Sequence, residues 1–142
     1  MADTQAGRWA LELTDMSNNG TETFEIQYQE CEGYLHAFIK GKKDSVSAAL
    51  EYWKCVIDEC KRRGFSALLV EEDFPNQLST VDIFTVTSAI PGMGSTGLKI
   101  AFVDRKAEHN ELNLFGESVA VNRGVFGRVF PTIEEAAAWL RS

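Results

Sequence analysis

The sequence has few of the residues that build metal centres and redox sites. Its 142 residues include two histidines, His36 and His109, and three cysteines, with neither a CxxC nor an HxxxH spacing. A zinc or iron site needs three or four converging ligands, so we expect no metal and no cofactor. The cysteines, Cys31, Cys55 and Cys60, are odd in number and lack paired spacing, which is typical of reduced thiols rather than of a disulfide framework.

Positive charge and long hydrophobic runs are also scarce. Fourteen lysines and arginines stand against twenty-one aspartates and glutamates, which gives a formal charge of -7. This charge repels nucleic-acid phosphates and anionic lipid heads, and no apolar run approaches the roughly 20 residues that a membrane-spanning helix needs. Residues 1–15 contain no apolar segment flanked by basic residues, so we expect no signal peptide. We therefore expect a cytoplasmic protein that neither binds nucleic acid nor inserts into a membrane.

The first forty residues follow the two-residue period of half-buried strands. Phe24 and Ile26 alternate with polar residues, and an apolar run covers Tyr34 to Ile39 after a turn. A similar alternation from Trp9 to Leu13 predicts an extra N-terminal strand and loop within residues 1–23. The N-terminal part is therefore expected to be an antiparallel meander.

Helical and strand patterns alternate from Ser45 onward. Ser45 and Gly64 mark the ends of the first helix, and Thr132 with Glu135 forms a capping box for the last. Two further helices are predicted after Ser79 and within 107–123. Short apolar runs predict strands at Ala67–Val70, Leu98–Val103 and Arg128–Phe130. Repeated β-then-α connections build parallel sheets, so we predict a single α/β domain over residues 1–142, with a mixed sheet of about five strands, a parallel core and about four covering helices.

Three segments carry a resemblance to a known superfamily. They are the strand Leu98–Arg105, the segment Phe115–Gly124, and the ending Arg128–Phe130 followed by Ala136–Leu140. With the order of elements from Phe24 to Leu140, they resemble the SpoIIAA-like branch of the STAS domain superfamily, which is similar in shape to Sec14-type lipid carriers. The resemblance implies a non-enzymatic regulatory or binding module that docks a regulatory protein or binds a small apolar ligand.

The resemblance also implies a phosphorylation site. In antagonists of the superfamily the phosphorylated serine starts the helix after the central strand, and the matching positions here are Ser79 and Thr80. A helix N-terminus offers free amides and partial positive charge to a phosphate. The segment departs from the superfamily's pattern because it has no glycine and because Asp82 would repel a phosphate. The alternative is that Ser79 only caps the helix.

An acidic run follows the strand predicted at Ala67–Val70. Glu71, Glu72 and Asp73 lie where ligands often bind in open α/β sheets, beyond the carboxyl end of a strand. With His36 as a general base, this run would suit a small hydrolase-like enzyme. The sequence does not place His36 beside the carboxylates, and a solvated acidic surface is the alternative interpretation.

The helix between Leu78 and Met93 is apolar over more than one face. Ile83, Phe84 and Met93 exceed what a helix packed on one side requires. They predict a surface for a regulatory protein, for a small apolar ligand, or for a second copy of the chain in a homodimer. A helix enclosed in the core and a purely structural homo-oligomer subunit are the alternatives.

Overall fold

The computed structural model describes residues 24–142, so the strand predicted between Trp9 and Leu13 lies outside the described residues. Five strands form one sheet in the order β1-β2-β3-β4-β5. They are β1 (Glu25–Cys31), β2 (Tyr34–Lys40), β3 (Ala67–Asp73), β4 (Lys99–Asp104) and β5 (Phe126–Phe130). β1 and β2 form an antiparallel hairpin, and β2 to β5 are parallel neighbours. The predicted mixed sheet with a parallel core is confirmed.

Four helices connect and cover the strands. They are α1 (Val46–Arg62), α2 (Thr80–Ala89), α3 (Asn110–Asn122) and α4 (Ile133–Leu140), and short 3-10 helices occupy Ile90–Met93 and Ala107–His109. The predicted caps are present. The Ser45 hydroxyl accepts a hydrogen bond from the Ala48 amide at 3.0 Å, and the Thr132 hydroxyl accepts one from the Glu135 amide at 3.2 Å. Gly64 adopts a φ of 82° just beyond α1, a left-handed conformation that ends the helix.

The helices lie on both faces of the sheet. α1, α2 and α3 share a hydrophobic cluster on one face, where α2 packs against α1 and α3. α4 packs on the other face against β3, β4 and β5. Successive side chains of a strand point to opposite faces, so Leu68 and Val70 of β3 face α1 to α3 whereas Ala67 and Leu69 face α4. The same alternation decides which face receives the polar residues at the strand ends.

Helices α2 and α3 approach closely at Gly116. A Cβ atom at this position would lie 3.1 Å from Ile83 Cγ2 and 3.2 Å from Thr87 Cγ2. The missing side chain therefore allows α2 to lie close to α3.

Strand β5 forms one edge of the described sheet. The Val129 amide donates a hydrogen bond to Glu117 Oε1 of α3 at 2.7 Å. An edge strand presents a row of backbone groups without strand partners, and α3 supplies an acceptor for one of them.

Candidate functional site

A cavity of about 120 Å³ lies between the sheet and helices α1, α2 and α3. Native interiors contain few voids larger than a water molecule, and one water needs only about 10–15 Å³ of such volume. Most of the wall is apolar. It includes Trp53 of α1, Ile83 and Val86 of α2, Ile100 and Phe102 of β4, and Val129 of β5. The cavity is therefore large enough to hold a small molecule.

One end of the cavity is acidic. Glu72 and Asp104 are register partners near the carboxyl ends of β3 and β4, and both side chains face α1 to α3. Asp44, from the loop before α1, reaches the same end. The Tyr52 hydroxyl of α1 lies 3.1 Å from each carboxylate oxygen of Asp44. The cavity thus combines apolar walls with a compact cluster of three carboxyl groups and a phenol.

Asn76 fixes the loop that carries Asp44. The Asp44 amide donates to Asn76 Oδ1 at 2.7 Å, and Asn76 Nδ2 donates to the Asp44 carbonyl oxygen at 2.9 Å. Asp44 Oδ1 also accepts a hydrogen bond from the Ser45 amide at 2.9 Å. The β2–α1 and β3–α2 loops are therefore joined side by side, and the Asp44 carboxyl group is held against Tyr52.

Burial makes this end of the cavity unfavourable for negative charge. Glu72 is 8% exposed and Asp44 is 7% exposed. Burial, reinforced by the charges of Asp44 and Asp104, raises the pKa of Glu72 well above its ordinary value. Burial also raises the pKa of Asp44 to about 6, against the opposing hydrogen bonds from Tyr52 and Ser45. Burial and the two neighbouring carboxyl groups raise the pKa of Tyr52, so its hydroxyl remains a donor.

Asp104 differs from its neighbours because it has several donors of its own. Its Oδ2 lies 3.0 Å from His109 Nδ1 and accepts a hydrogen bond from Asn113 Nδ2 at 3.0 Å. Its Oδ1 accepts one from the Lys106 amide at 2.9 Å. Glu72, by contrast, forms no ion pair with any residue in the described range 24–142.

The other two residues of the acidic run lie on the face of α4. β3 continues through Asp73, so the run lies within the strand instead of beyond it, and alternation separates Glu72 from Glu71 and Asp73. Glu71 Oε1 is 2.9 Å from His36 Nε2, and Glu71 Oε2 accepts a hydrogen bond from Arg105 Nε at 2.6 Å. Burial opposes ionisation of Glu71, but the hydrogen bonds and charges of His36 and Arg105 outweigh it and lower the pKa of Glu71. Neither His36 nor Glu71 lines the cavity.

Helix α2 has an inner and an outer side. Ile83 and Val86 line the cavity, whereas Val81 is 72% exposed and Phe84 is 44% exposed. Met93, just after the helix, is half-buried against the core and is not part of the cavity wall. Of the residues predicted to form a ligand or partner surface, the cavity therefore brings together Ile83 and Glu72.

The two candidate phosphorylation positions lie at the start of α2. Ser79 is the N-cap, and its hydroxyl accepts a hydrogen bond from the Asp82 amide at 3.1 Å. Thr80 is the first helical residue, and both side chains are exposed. Capping by Ser79 is confirmed, and phosphorylation stays a prediction.

Three members of the acidic end were not singled out by the sequence: Asp44, Tyr52 and Asp104. A signal existed for Asp104, because the carboxyl ends of adjacent parallel strands align and place it beside Glu72. Asp44 and Tyr52 gave no comparable local signal, since their approach to Glu72 depends on how the β2–α1 loop and α1 pack.

The described residues also bear on metals and membranes. Between residues 24 and 142, no group of three or more His, Cys, Asp or Glu side chains is arranged to hold a metal ion. No helix in this part of the chain has the length and apolar character needed to cross a membrane. Within the described residues, Cys31, Cys55 and Cys60 form no disulfide, and Cys60 is buried in the core.

No protein-family model matches the chain, and no curated protein sequence matches it. Among solved structures, the crystal structure of an anti-sigma factor antagonist from Mycobacterium paratuberculosis is similar, with a TM-score of 0.57 and 16% identity over 87% of this chain and 98% of that chain. The NMR structure of the protein TM1081 has a TM-score of 0.46 and 17% identity over 80% of this chain and 86% of that chain. The similarity to the antagonist shows that this chain has the STAS-type fold that its sequence predicts.

Proposed function

We propose that the protein is a non-enzymatic regulatory module that binds a small, largely apolar ligand in the cavity beneath α2. The cavity is the observation that carries this proposal. Apolar walls with a few converging polar groups are the usual composition of small-molecule sites. Because α2 forms part of the wall and also exposes Val81 and Phe84, occupancy of the cavity would change a surface that a partner can contact.

A hydrolase built on the acidic run has less support. His36 and Glu71 are buried in contact with each other, and Arg105 donates a hydrogen bond to Glu71. The His36–Glu71 pair lies on the face of the sheet opposite to the cavity. A substrate in the cavity would meet neither of them. Of the carboxyl groups that it would meet, Asp104 has an imidazole partner in His109, at 3.0 Å, whereas Glu72 and Asp44 have none in hydrogen-bond contact within residues 24–142.

Filling the cavity tests the ligand proposal. Val86 is buried and lines the cavity, whereas its neighbour Thr85 is exposed, so Val86→Phe and Thr85→Phe add the same side chain inside and outside. Phenethyl alcohol is titrated into each protein and followed by two-dimensional amide NMR. We expect it to change the amide chemical shifts of cavity residues in the wild type and in Thr85→Phe but not in Val86→Phe. Overpacking is expected to cost about 1–3 kcal/mol, so thermal unfolding of both variants is measured in parallel. Unchanged binding by a folded Val86→Phe variant would remove the cavity as the site.

Docking of a regulatory protein on the outer side of α2 is a second candidate. Val81 and Phe84 are exposed there, Val121 of α3 is 47% exposed, and the Arg123 guanidinium lies 5.0 Å from the centre of the Phe84 ring. The similar solved structure is that of an anti-sigma factor antagonist, which supports a protein partner. A phosphate on Ser79 or Thr80 would add negative charge at the edge of this surface.

The docking candidate is tested by changing the outer side of α2 alone. The double variant Val81→Ser with Phe84→Ser is compared with the wild type in affinity capture from the native host, with mass spectrometry of the bait for phosphate on Ser79 or Thr80. We expect a captured protein that the double variant loses. Sedimentation equilibrium of both proteins distinguishes a second copy of the chain from a different partner. Identical capture by the two baits would count against this surface.

A further inference from the structure

The acidic end of the cavity has more hydrogen-bond acceptors than donors. The Tyr52 hydroxyl has a single proton, and it lies within reach of both oxygens of Asp44 and is shared with Glu72. Asp44 has a second donor in the Ser45 amide. When Tyr52 donates to Asp44, the Glu72 carboxyl group has no donor from the described part of the chain. Glu72 is more than nine-tenths buried and lines the cavity, so it either keeps its own proton, as its raised pKa favours, or ionises against a donor that a ligand brings.

The basic side chains near this end contact groups other than Glu72. His109 lines the cavity, but its Nδ1 is 3.0 Å from Asp104. Arg128 also borders the cavity, yet its guanidinium carbon lies 5.1 Å from the centre of the Phe130 ring, and Phe130 belongs to the cluster on the α4 face. Glu72 is therefore a buried carboxyl group beside the cavity, and no basic side chain from residues 24–142 forms an ion pair with it.

We infer that the ligand of this cavity is a small amine, with an apolar body against α2 and β4 and an ammonium group that donates to Glu72 and Asp44. This inference rests on the proposed function, because it names the chemical class that the proposed site takes. An ammonium group has three donors and no acceptor, which complements a cluster that has acceptors in excess. An organic cation fits better than a metal ion, because no metal-holding group of side chains exists among residues 24–142.

The apolar part of the ligand has a defined place. Ile83 and Val86 approach it from α2, and Ile100 and Phe102 approach it from β4. Phe102 is stacked on Trp53 with ring centres 6.2 Å apart, so β4 and α1 contact each other in the cavity wall. An aryl or short alkyl chain that ends in a primary amine therefore matches both parts of the cavity.

Three probes that share a phenyl ring and a short alkyl chain distinguish charge from shape. Phenethylamine, phenethyl alcohol and phenylpropanoate are titrated into the full chain at about pH 8, and dissociation constants are taken from the amide shifts of cavity residues. We expect phenethylamine to bind about tenfold more tightly than the alcohol, and phenylpropanoate to bind more weakly than both. Calorimetry in buffers of different ionisation enthalpy should also detect proton release when the amine binds.

The variants Glu72→Gln and Glu71→Gln make the same chemical change on opposite faces of the sheet. Glu72→Gln should reduce the ratio between amine and alcohol affinities to near one, whereas Glu71→Gln should retain it. Asp73→Asn replaces Glu71→Gln as the control if that variant is unfolded. Equal affinity for amine and alcohol, or a ratio that survives Glu72→Gln, would overturn the inference and leave the proposed function standing. Binding of none of the three probes would overturn both.

Discussion

Glu71 and Glu72 are neighbours in the sequence and nearly equal in burial, yet they occupy opposite environments. Glu71 is 5% exposed and Glu72 is 8% exposed. Glu71 contacts an imidazole and a guanidinium, whereas Glu72 shares one phenol proton with another carboxyl group. The pKa of Glu71 is lowered by His36 and Arg105 despite its burial, and burial raises the pKa of Glu72.

The comparison shows that burial alone does not decide the role of a carboxyl group. A buried carboxylate with matched donors stabilises the fold, and one without them costs stability and is available to a ligand. Glu71 belongs to the first kind and Glu72 to the second. Five measurements can break or sharpen this distinction.

The largest effect is expected from Glu71→Gln. The variant removes the charge that accepts hydrogen bonds from His36 and Arg105, and it should lower the free energy of unfolding by about 3 kcal/mol at neutral pH. Urea denaturation monitored by circular dichroism gives this value. A loss below about 0.5 kcal/mol would show that the pair contributes no more than a surface contact.

The next effect is a dependence of stability on pH. Asp44 faces Tyr52, Glu72, Asp104 and His109, and burial raises its pKa from 3.8 to about 6. Between these values the folded chain binds more protons than the unfolded chain, so the free energy of unfolding should fall as the pH rises, by about 2 kcal/mol. Urea denaturation at a series of pH values should show this decrease in the wild type and a smaller one in Asp44→Asn, where Glu72 alone contributes.

Glu71 should show the opposite dependence. Its pKa lies below the ordinary value of 4.5, so its stabilising contribution is complete above that pH and is lost as the pH falls through the folded pKa. Comparing the free energies of unfolding of the wild type and Glu71→Gln over the acidic pH range measures this contribution of Glu71. The same sign of slope for Asp44 and Glu71 would contradict the distinction between the two faces.

A smaller effect of opposite sign is expected from Glu72→Gln. Replacing a buried carboxyl group that has no cationic partner among residues 24–142 should raise the free energy of unfolding by about 1 kcal/mol at about pH 8, where the unfolded chain is ionised at this position. The gain should vanish at about pH 4, where the wild-type carboxyl group is also neutral. A destabilised Glu72→Gln at the higher pH would mean that Glu72 is compensated in the fold after all.

The smallest effect is expected from Arg105→Gln. The Arg105 side chain is half exposed, although its Nε donates to Glu71 and its guanidinium carbon lies 4.2 Å from the centre of the Phe38 ring. Solvent screens exposed pairs, so we expect a loss of about 0.5 kcal/mol that decreases further at high salt. A loss as large as that of Glu71→Gln would show that Arg105, and not His36, dominates the pair.

Local signals predicted the fold better than the site. The caps at Ser45 and Thr132 and the left-handed Gly64 are set by neighbouring residues, so the sequence revealed the helix ends. The acidic run was interpreted as one cluster because β3 was expected to end at Val70. The strand ends at Asp73, and because successive side chains of a strand point to opposite faces, Glu71 and Glu72 lie on opposite faces of the sheet.

Local sequence patterns could not predict the cavity, because the residues that line it are distant from one another in the sequence. Asp44 and Tyr52 meet Glu72 only after the β2–α1 loop is tied to Asn76 and α1 is packed on the sheet. The place of Ile83 above the cavity depends on Gly116, an α3 residue whose role is visible only in the contact between two helices.

The Glu117–Val129 hydrogen bond has a consequence for how this chain meets other proteins. A strand from another molecule that tried to extend the sheet at β5 would first have to displace a carboxylate from the amide it needs. Growth of the sheet by edge-to-edge pairing is thereby discouraged on that side. The proposed docking surface lies instead on the helices, where Val81 and Phe84 are exposed.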